Sequence, residues 1–257
     1  MATIHITSEI ENLIDRGALF VVNHSGGKDS QIMHIGLTQV IPKNQLVAIH
    51  AELPGVDWPG IIEHINSTRR GVPLITCKAI KTFMDMVRHR QMWPSPKNRQ
   101  CTSDLKRGPI EKTIRHEIKR RGHSGLIVNC VGIRAQESAS RKKADPWKFS
   151  ARNSRAGREW YEWLPIHHYL EEDVFNGIFE ANEKPHWAYL SGMSRLSCCF
   201  CIMASKRDLA VAARLAPALY AEYVQMERTI DQTMMMPTKK GRVFLEEYTG
   251  IKCPDAT

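Results

Sequence analysis

The chain of 257 residues has no long apolar run. No segment approaches the roughly 20 consecutive apolar residues of a membrane-crossing helix. The amino end, "MATIHITSEIENLIDRG", is polar and charged and lacks the continuous apolar core of a secretory leader. The expectation is a soluble, cytoplasmic protein with no membrane partner. Two phosphate-binding signatures are also missing: there is no G-x-x-x-x-G-K-[ST] loop and no G-x-G-x-x-G fingerprint. No internal repeat is visible. Acidic residues are in short supply, 27 against 36 Lys and Arg, which leaves a net charge of +9 and a pI near 9.3. That balance favours an anionic partner, whether nucleotide, nucleic acid or counterions. Much of "RHEIKRRGH" reads equally as the solvated face of a helix. Seven cysteines, two of them adjacent, without an export signal, read as thiols or metal ligands rather than a disulfide framework.

What is present alternates. "ALFVVNH" is a short β-rich run, and "SQIMHIGLTQV" spaces Ile32, Ile35 and Leu37 for a helix packed on a sheet. "QLVAIHAEL" reads as a second buried strand, "WPGIIEHINSTRRG" as a helix closed by Gly71, "VPLITCK" as a third strand and "AIKTFMDMVRHR" as another amphipathic helix. After the Pro-rich "WPSPKNRQCTS" a basic helix is expected over residues 105–121, and "GLIVNCVGIR" returns as a strand. The alternation implies an α/β fold, a doubly wound and mainly parallel sheet with helices on both faces. Residues 137–160 are basic, Ser-rich and aromatic-flecked and read as a long loop. From about residue 164 onward the chain reads as helical, "RDLAVAARLAPALYAEYVQMERT" being the clearest segment. The expected division is an α/β nucleotide-binding domain over 1–165 and a helical carboxyl-terminal region over 166–257 packed on it.

Between the first strand and its helix lies "SGGKDS", Ser25 to Ser30. Gly26 and Gly27 let the backbone turn sharply and bring its N–H groups close to a ligand. The following helix points its own N–H groups and positive dipole end at the same place, which favours an anion. Lys28 would add a charge-assisted contact, and Ser25 and Ser30 hydroxyl donors. A carboxylate beside phosphate is repulsive, so Asp29 is read as the helix cap, with the holding of a cation such as magnesium as the alternative. Arg134, at the end of a strand where an α/β sheet opens its crevice, suits phosphate or sulfate bidentately, and Arg141 and Arg195 are candidates for the same work.

The loop resembles the PP-loop, Ser-Gly-Gly-x-Asp-Ser, of the adenine nucleotide α-hydrolase superfamily. "CTSDLK", "GIRAQESASR", "LPIHHYLEEDVF" and "HWAYLSGMSRLSCCFC" resemble elements of the phosphoadenosine phosphosulfate (PAPS) reductase family within it, over about residues 18–201. The resemblance implies an enzyme binding an adenine nucleotide, ATP or PAPS, and acting in sulfur metabolism or sulfur transfer. The chemistry would be α-phosphate cleavage to AMP and pyrophosphate, or sulfonucleotide reduction as an oxidoreductase, with Lys28 and Arg134 as catalytic residues. Glu52 stands where the family has Asp-Thr-Gly, a departure that leaves it either contacting the ribose or without a part in the site. The element around Cys101 also resembles DNA phosphorothioation sulfur-transfer proteins, so a nucleic acid or a sulfur-donor protein is an expected partner.

Cys198 and Cys201 have the separation that offers two thiolates to one metal, with Cys101 as a third ligand. The resemblance implies a [4Fe-4S] cluster, completed here by Cys253 or by Cys199; a cluster-free, redox-active Cys-x-x-Cys is the alternative. Cys77 and Cys130 lie in apolar strand patterns and read as core. PAPS-reducing relatives share a carboxyl-terminal Glu-Cys-Gly-Leu-His whose cysteine attacks the sulfate sulfur. This chain ends "YTGIKCPDAT", so that reaction lacks its nucleophile's setting. A further alternative is a nucleic-acid-binding or partner module without catalysis. Trp147, Phe149, Arg152, Arg155, Arg158 and Trp160 would then supply stacking and phosphate contacts.

Overall fold

The computed structural model describes residues 3–237, 239 and 241–253. Helix α1 (Ser8–Asp15) precedes β1 (Leu19–Asn23), α2 (Lys28–Val40), β2 (Leu46–Glu52), α3 (Ile61–Thr68), β3 (Leu74–Lys78) and α4 (Phe83–Arg90). Then come α5 (Gln100–Thr102), a π-helical stretch Ser103–Arg107, α6 (Gly108–Arg120), β4 (Leu126–Cys130), α7 (Ala139–Lys142), β5 (Trp147–Phe149) and β6 (Glu159–Trp163). Helices α8 (Glu171–Glu180), α9 (Trp187–Leu190), α10 (Lys206–Leu215), α11 (Pro217–Ile230) and α12 (Leu245–Thr249) complete the chain.

The six strands form one sheet in the order β3-β2-β1-β4-β6-β5. β1 runs parallel to both β2 and β4, with Phe20 opposite Leu46 and Leu19 opposite Ile127. β4 runs parallel to β6, and the edge pair β5–β6 is antiparallel. The expected α/β, mainly parallel sheet is therefore present, with helices in the carboxyl-terminal third. Winding leaves β1 in one direction toward β2 and β3 and returns on its other side at β4. The ends of β1 and β4 thus form a topological switch point, where such sheets open a ligand crevice.

Two compact units share the chain: residues 1–50, 60–77 and 110–186 make the first, and residues 51–59, 78–109 and 187–257 the second. Each takes three separate segments, whereas the linear reading placed one boundary near 165. The first has a core of strand residues such as Phe20, Val22, Ala48 and Val128 against Ile32, Met33 and Ile35 of α2. Each fully buried side chain of this kind contributes about 1.5–3 kcal/mol. α2 is apolar or buried nearly all round, as a central crossover helix must be. The second unit packs Leu53 and Trp58 with Phe83, Trp93, Phe200, Leu209, Tyr220, Tyr223 and Leu245.

Three elements depart from the sequence reading. The polar amino end contains α1, whose Thr7 hydroxyl accepts the Ile10 N–H and which buries Ile10 and Leu13. Residues 137–160 are not one loop: they hold α7 and β5 and lead directly into β6. The three-residue β5 is an edge strand fastened by Trp147 stacked on Tyr161 (5.2 Å, 12°), too short to announce itself by periodicity. The long carboxyl-terminal helical segment is two helices, broken at Ala216. Pro217 opens α11, the position where its missing N–H costs nothing.

Candidate functional site

In the first unit, β1 ends at Asn23, whose side-chain amide donates to Asn129 Oδ1 (2.7 Å) and to the Cys130 carbonyl (2.9 Å). This pair ties the mouth of the sheet, and "SGGKDS" begins two residues on. Gly26 takes a left-handed φ of +76°. A side chain there would also press on Ile61, whose Cδ1 would lie 2.3 Å from the added carbon and would have to turn aside, so the left-handed backbone is the stronger reason for glycine. The Ser30 hydroxyl donates to the Gly27 carbonyl (2.8 Å) and accepts the Ser25 N–H (3.1 Å). Having spent its hydrogen, Ser30 receives that of the Ser25 hydroxyl, 3.1 Å away. Ser30 is therefore the clasp of the loop. Ser25, exposed, is the hydroxyl facing outward.

The expectation that Asp29 caps the helix is corrected. Gly27 is the N-cap, without a side-chain cap bond, and Asp29 lies inside the first turn of α2. Its carboxylate instead receives Arg134 Nε (2.5 Å), with Lys28 Nζ at 3.8 Å. The uncapped start of α2 keeps its dipole end for an anion.

Both candidate cations are buried and already paired. Lys28 Nζ reaches Glu171 Oε1 at the start of α8 (3.2 Å) and lies 5.7 Å from the centre of the Phe175 ring. Arg134 Nη1 donates to Gln136 Oε1 (2.7 Å), which also accepts the Glu171 N–H (2.8 Å). Lys28, Asp29, Arg134, Gln136 and Glu171 thus close a ring of ion pairs and hydrogen bonds beneath the loop. Gln136 and Glu171 were missed in the sequence, although both sit inside the quoted elements. Gly132 explains its own place in "GIR": a side chain would meet the Asp29 carbonyl oxygen at 3.0 Å and the Ser30 nitrogen at 3.2 Å. Arg141, on α7, is paired with Glu137, whose other oxygen accepts the Arg134 N–H (3.0 Å).

The second unit holds the remaining candidates. Glu52 is the last, half-buried residue of β2, and Arg195 is half-buried in the turns before Cys198. Cys101, Cys198 and Cys201 lie within electrostatic reach of one another and of Lys106, on the π-helical stretch, and Asp57. Burial pushes the Cys198 thiol up to about 11 against the pull of the Lys106 ammonium. Nearby thiols, Cys198 foremost, in turn raise Lys106 above its ordinary value. Cys201 Sγ accepts the Met203 N–H (3.4 Å). Buried Cys199 turns its N–H to the Val56 carbonyl (2.9 Å), and burial pushes its thiol up to about 12. Cys253 keeps different company: its N–H donates to Glu246 (2.7 Å), and it lines a cavity of about 520 Å³ between α4 and α11. Among the described residues no group of three or more His, Cys, Asp or Glu side chains is arranged to hold a metal ion. Cys101, Cys198 and Cys201 thus share the field of one ammonium, while Cys253 has other partners. Cys77 and Cys130 are buried, as core residues.

The basic aromatic stretch is partly engaged: Trp147 stacks on Tyr161, while Phe149 and Arg155 are exposed. Trp160 is fully buried and cannot stack on a base. Arg152 pairs with Glu111 and Lys148 with Glu162 (3.1 Å).

Residues 20–204 match the family model described as the phosphoadenosine phosphosulfate reductase domain. The chain belongs to this family. Its PAPS reductase domain carries the loop, the Arg134 segment and the cysteine pair alike. A curated relative, the uncharacterized 37.8 kDa protein in the gpa 5′ region of Escherichia phage 186, is 30% identical over 149 residues, 58% of this chain and 43% of that protein. The PAPS reductase domain chain thus spans less than half of that relative's length. Among solved structures, PAPS reductase from Candida auris in a phosphate complex aligns with a TM-score of 0.46 at 11% identity, over 76% of this chain and 97% of that one. Candida glabrata FMN adenylyltransferase gives 0.46 at 16%, over 71% and 53%. The U34-tRNA thiolase NcsA from Methanococcus maripaludis, with its [4Fe-4S] cluster, gives 0.42 at 12%, over 94% and 86%. No helix among the described residues is long and apolar enough to cross a membrane.

Proposed function

We propose that the first unit binds the phosphate end of an adenine nucleotide on Ser25 to Ser30 and that the protein uses it in sulfur chemistry. The observation that carries this reading is the uncapped N-terminus of α2, fed by the glycine turn at the switch point, with buried Arg134 beside it. An incoming phosphate competes with Asp29 and Glu171 for Arg134 and Lys28, so binding exchanges one set of ion pairs for another. Fixed amides and the guanidinium then stabilise the charge that develops as the phosphorus is attacked. Ser25, Gly26, Gly27, Lys28, Asp29, Ser30 and Arg134 make this site, with Arg141 assigned to its periphery.

Of the two reactions, nucleophilic attack at the α-phosphorus of ATP, with pyrophosphate leaving, is the reading we favour. Cys253 stands in Ile-Lys-Cys-Pro rather than in the Glu-Cys-Gly-Leu-His that serves sulfate reduction in relatives. A divalent cation such as magnesium would accompany the triphosphate, with Asp29 its candidate holder. Cys101, Cys198 and Cys201 are assigned to handling sulfur, with Lys106 opposing the burial that raises the Cys198 thiol. The nucleic-acid module is the weaker reading, since Trp160 is fully buried and Arg152 is paired with Glu111.

Incubation with ATP and with PAPS separately, followed by separation of the nucleotides, tests the proposal. AMP and pyrophosphate are expected from ATP once the sulfur acceptor is supplied. Adenosine bisphosphate from PAPS would move the reaction to sulfate reduction, and absence of binding heat from either nucleotide would remove it. An iron assay after anaerobic purification decides the cysteines independently.

A further inference from the structure

The anion loop rests on a histidine that precedes it. His24 is buried, and its Nδ1 accepts the Gly26 N–H at 3.2 Å. A ring nitrogen that accepts carries no proton, so the neutral imidazole bears its hydrogen on Nε2. The backbone of His24 is fixed as well. Its N–H donates to the Ile49 carbonyl (2.9 Å), and its carbonyl accepts from His50 Nδ1 (2.9 Å). A side chain accepting the N–H two residues ahead is the bond by which Asn or Asp builds an Asx-turn. Here an imidazole makes it, and an imidazole can titrate.

The surroundings resist a second proton. His34 faces the ring from α2 (centroids 5.3 Å apart), His64 from α3 and His50 from β2. Glu183, paired with Arg70 (2.7 Å), faces His34 and His64 rather than His24 itself. His34 Nε2 donates to the Arg69 carbonyl (2.9 Å). His24 Nε2, His34 Nδ1, His50 Nε2 and His64 Nε2 have no hydrogen-bond partner among the described residues. Burial first, then the neighbouring histidines, hold the His24 imidazole well below its ordinary value. The ring is therefore neutral under ordinary conditions, which keeps its acceptor available.

We propose that His24 is a positioning residue for the anion loop: its neutral imidazole holds the Gly26 amide and fixes the loop in its binding form, and a second proton on the ring releases it. The binding half of this inference rests on the proposed nucleotide site; the tautomer half does not.

Two measurements on the full chain separate them. In ¹⁵N-histidine-labelled protein, long-range proton–nitrogen correlations are expected to show His24 with hydrogen on Nε2 and bare Nδ1 at pH 7; hydrogen on Nδ1 overturns the inference whatever the loop binds. Calorimetry with inorganic pyrophosphate then compares wild type, His24→Asn and His24→Leu from pH 8 downward over the folded range. Asn retains an acceptor without a titration, so it is expected to bind within about threefold of wild type at pH 8, and Leu about five- to tenfold more weakly. Wild type and Asn are expected to run together while the ring stays neutral and to part, wild type losing affinity, only where it takes its second proton. Undiminished binding by Leu at pH 8, or a wild-type profile that parts from Asn while the ring is still neutral by the nitrogen correlations, overturns the positioning role. If no variant binds pyrophosphate or ATP at any pH, the proposed function falls, and the tautomer alone decides His24.

Discussion

Gly132 shows how a single hydrogen in place of a side chain shapes the site. The atoms that an added carbon would meet belong to the Asp29–Ser30 peptide, which cannot swing aside. Gly132→Ala is expected to cost about 1–3 kcal/mol of stability and to weaken nucleotide binding together with it, read by thermal unfolding and calorimetry. Arg134 makes a different point. One planar guanidinium serves Asp29 through Nε and Gln136 through Nη1, a division that a lysine cannot copy. Arg134→Lys is expected to lower affinity for ATP by at least about tenfold while the fold survives. At the cysteines, Lys106 pulls Cys198 toward the thiolate. In metal-free protein, Lys106→Met is therefore expected to raise the Cys198 thiol further and slow its alkylation at pH 8 to 9; unchanged alkylation would show that the ammonium does not act there. The loop glycines and Arg134 were legible because they are spelled in a contiguous motif or at a strand end. His24 and Glu171 were not, since only folding reveals whose hydrogen bond or charge they take up.

At the scale of elements, α6 carries a pH-dependent fastening in its last turn. Glu117 accepts from Arg120 (2.6 Å) and Arg121 (2.6 Å), which hold its carboxyl at about 2, below the usual carboxylate range. Because the folded value is depressed, this stabilisation is present above about pH 4.5 and disappears as pH falls from there through about 2. Glu117→Gln is expected to lose about 1 kcal/mol at pH 7, a figure kept small by the solvent around Arg120, and the gap from wild type should close in acid. Denaturant unfolding at pH 7 and pH 3 checks both signs. The same helix was recognisable in advance by its charge pattern, as were β1 to β4 by their apolar runs. The edge strand β5 was hidden because three residues hold no period. The break at Ala216 was passed over because Pro217 is compatible with the first turn of a new helix.

Over the whole molecule, the net charge of +9 already discounts pairs such as Arg16 with Glu159, Arg70 with Glu183, Arg152 with Glu111 and Arg228 with Glu246, and what is left is a diffuse, salt-screened attraction for polyanions. Binding to single-stranded oligonucleotides is accordingly expected to be weak and to vanish as salt rises from 50 to 200 mM, while ATP binding declines far less; retention of the oligonucleotide at 200 mM would restore the nucleic-acid reading. The α/β architecture was legible from alternation alone, but the sharing of residues between two cores was not, because apolar periodicity says which face is inward and not which core receives it. That interleaving bears on biosynthesis. Trp58, Phe83 and Trp93 leave the ribosome long before Phe200, Tyr220 and Leu245, the partners that cover them. The nascent chain must carry these aromatic side chains uncovered until its last third has been translated, and that interval is when a chaperone or an aggregate would find them.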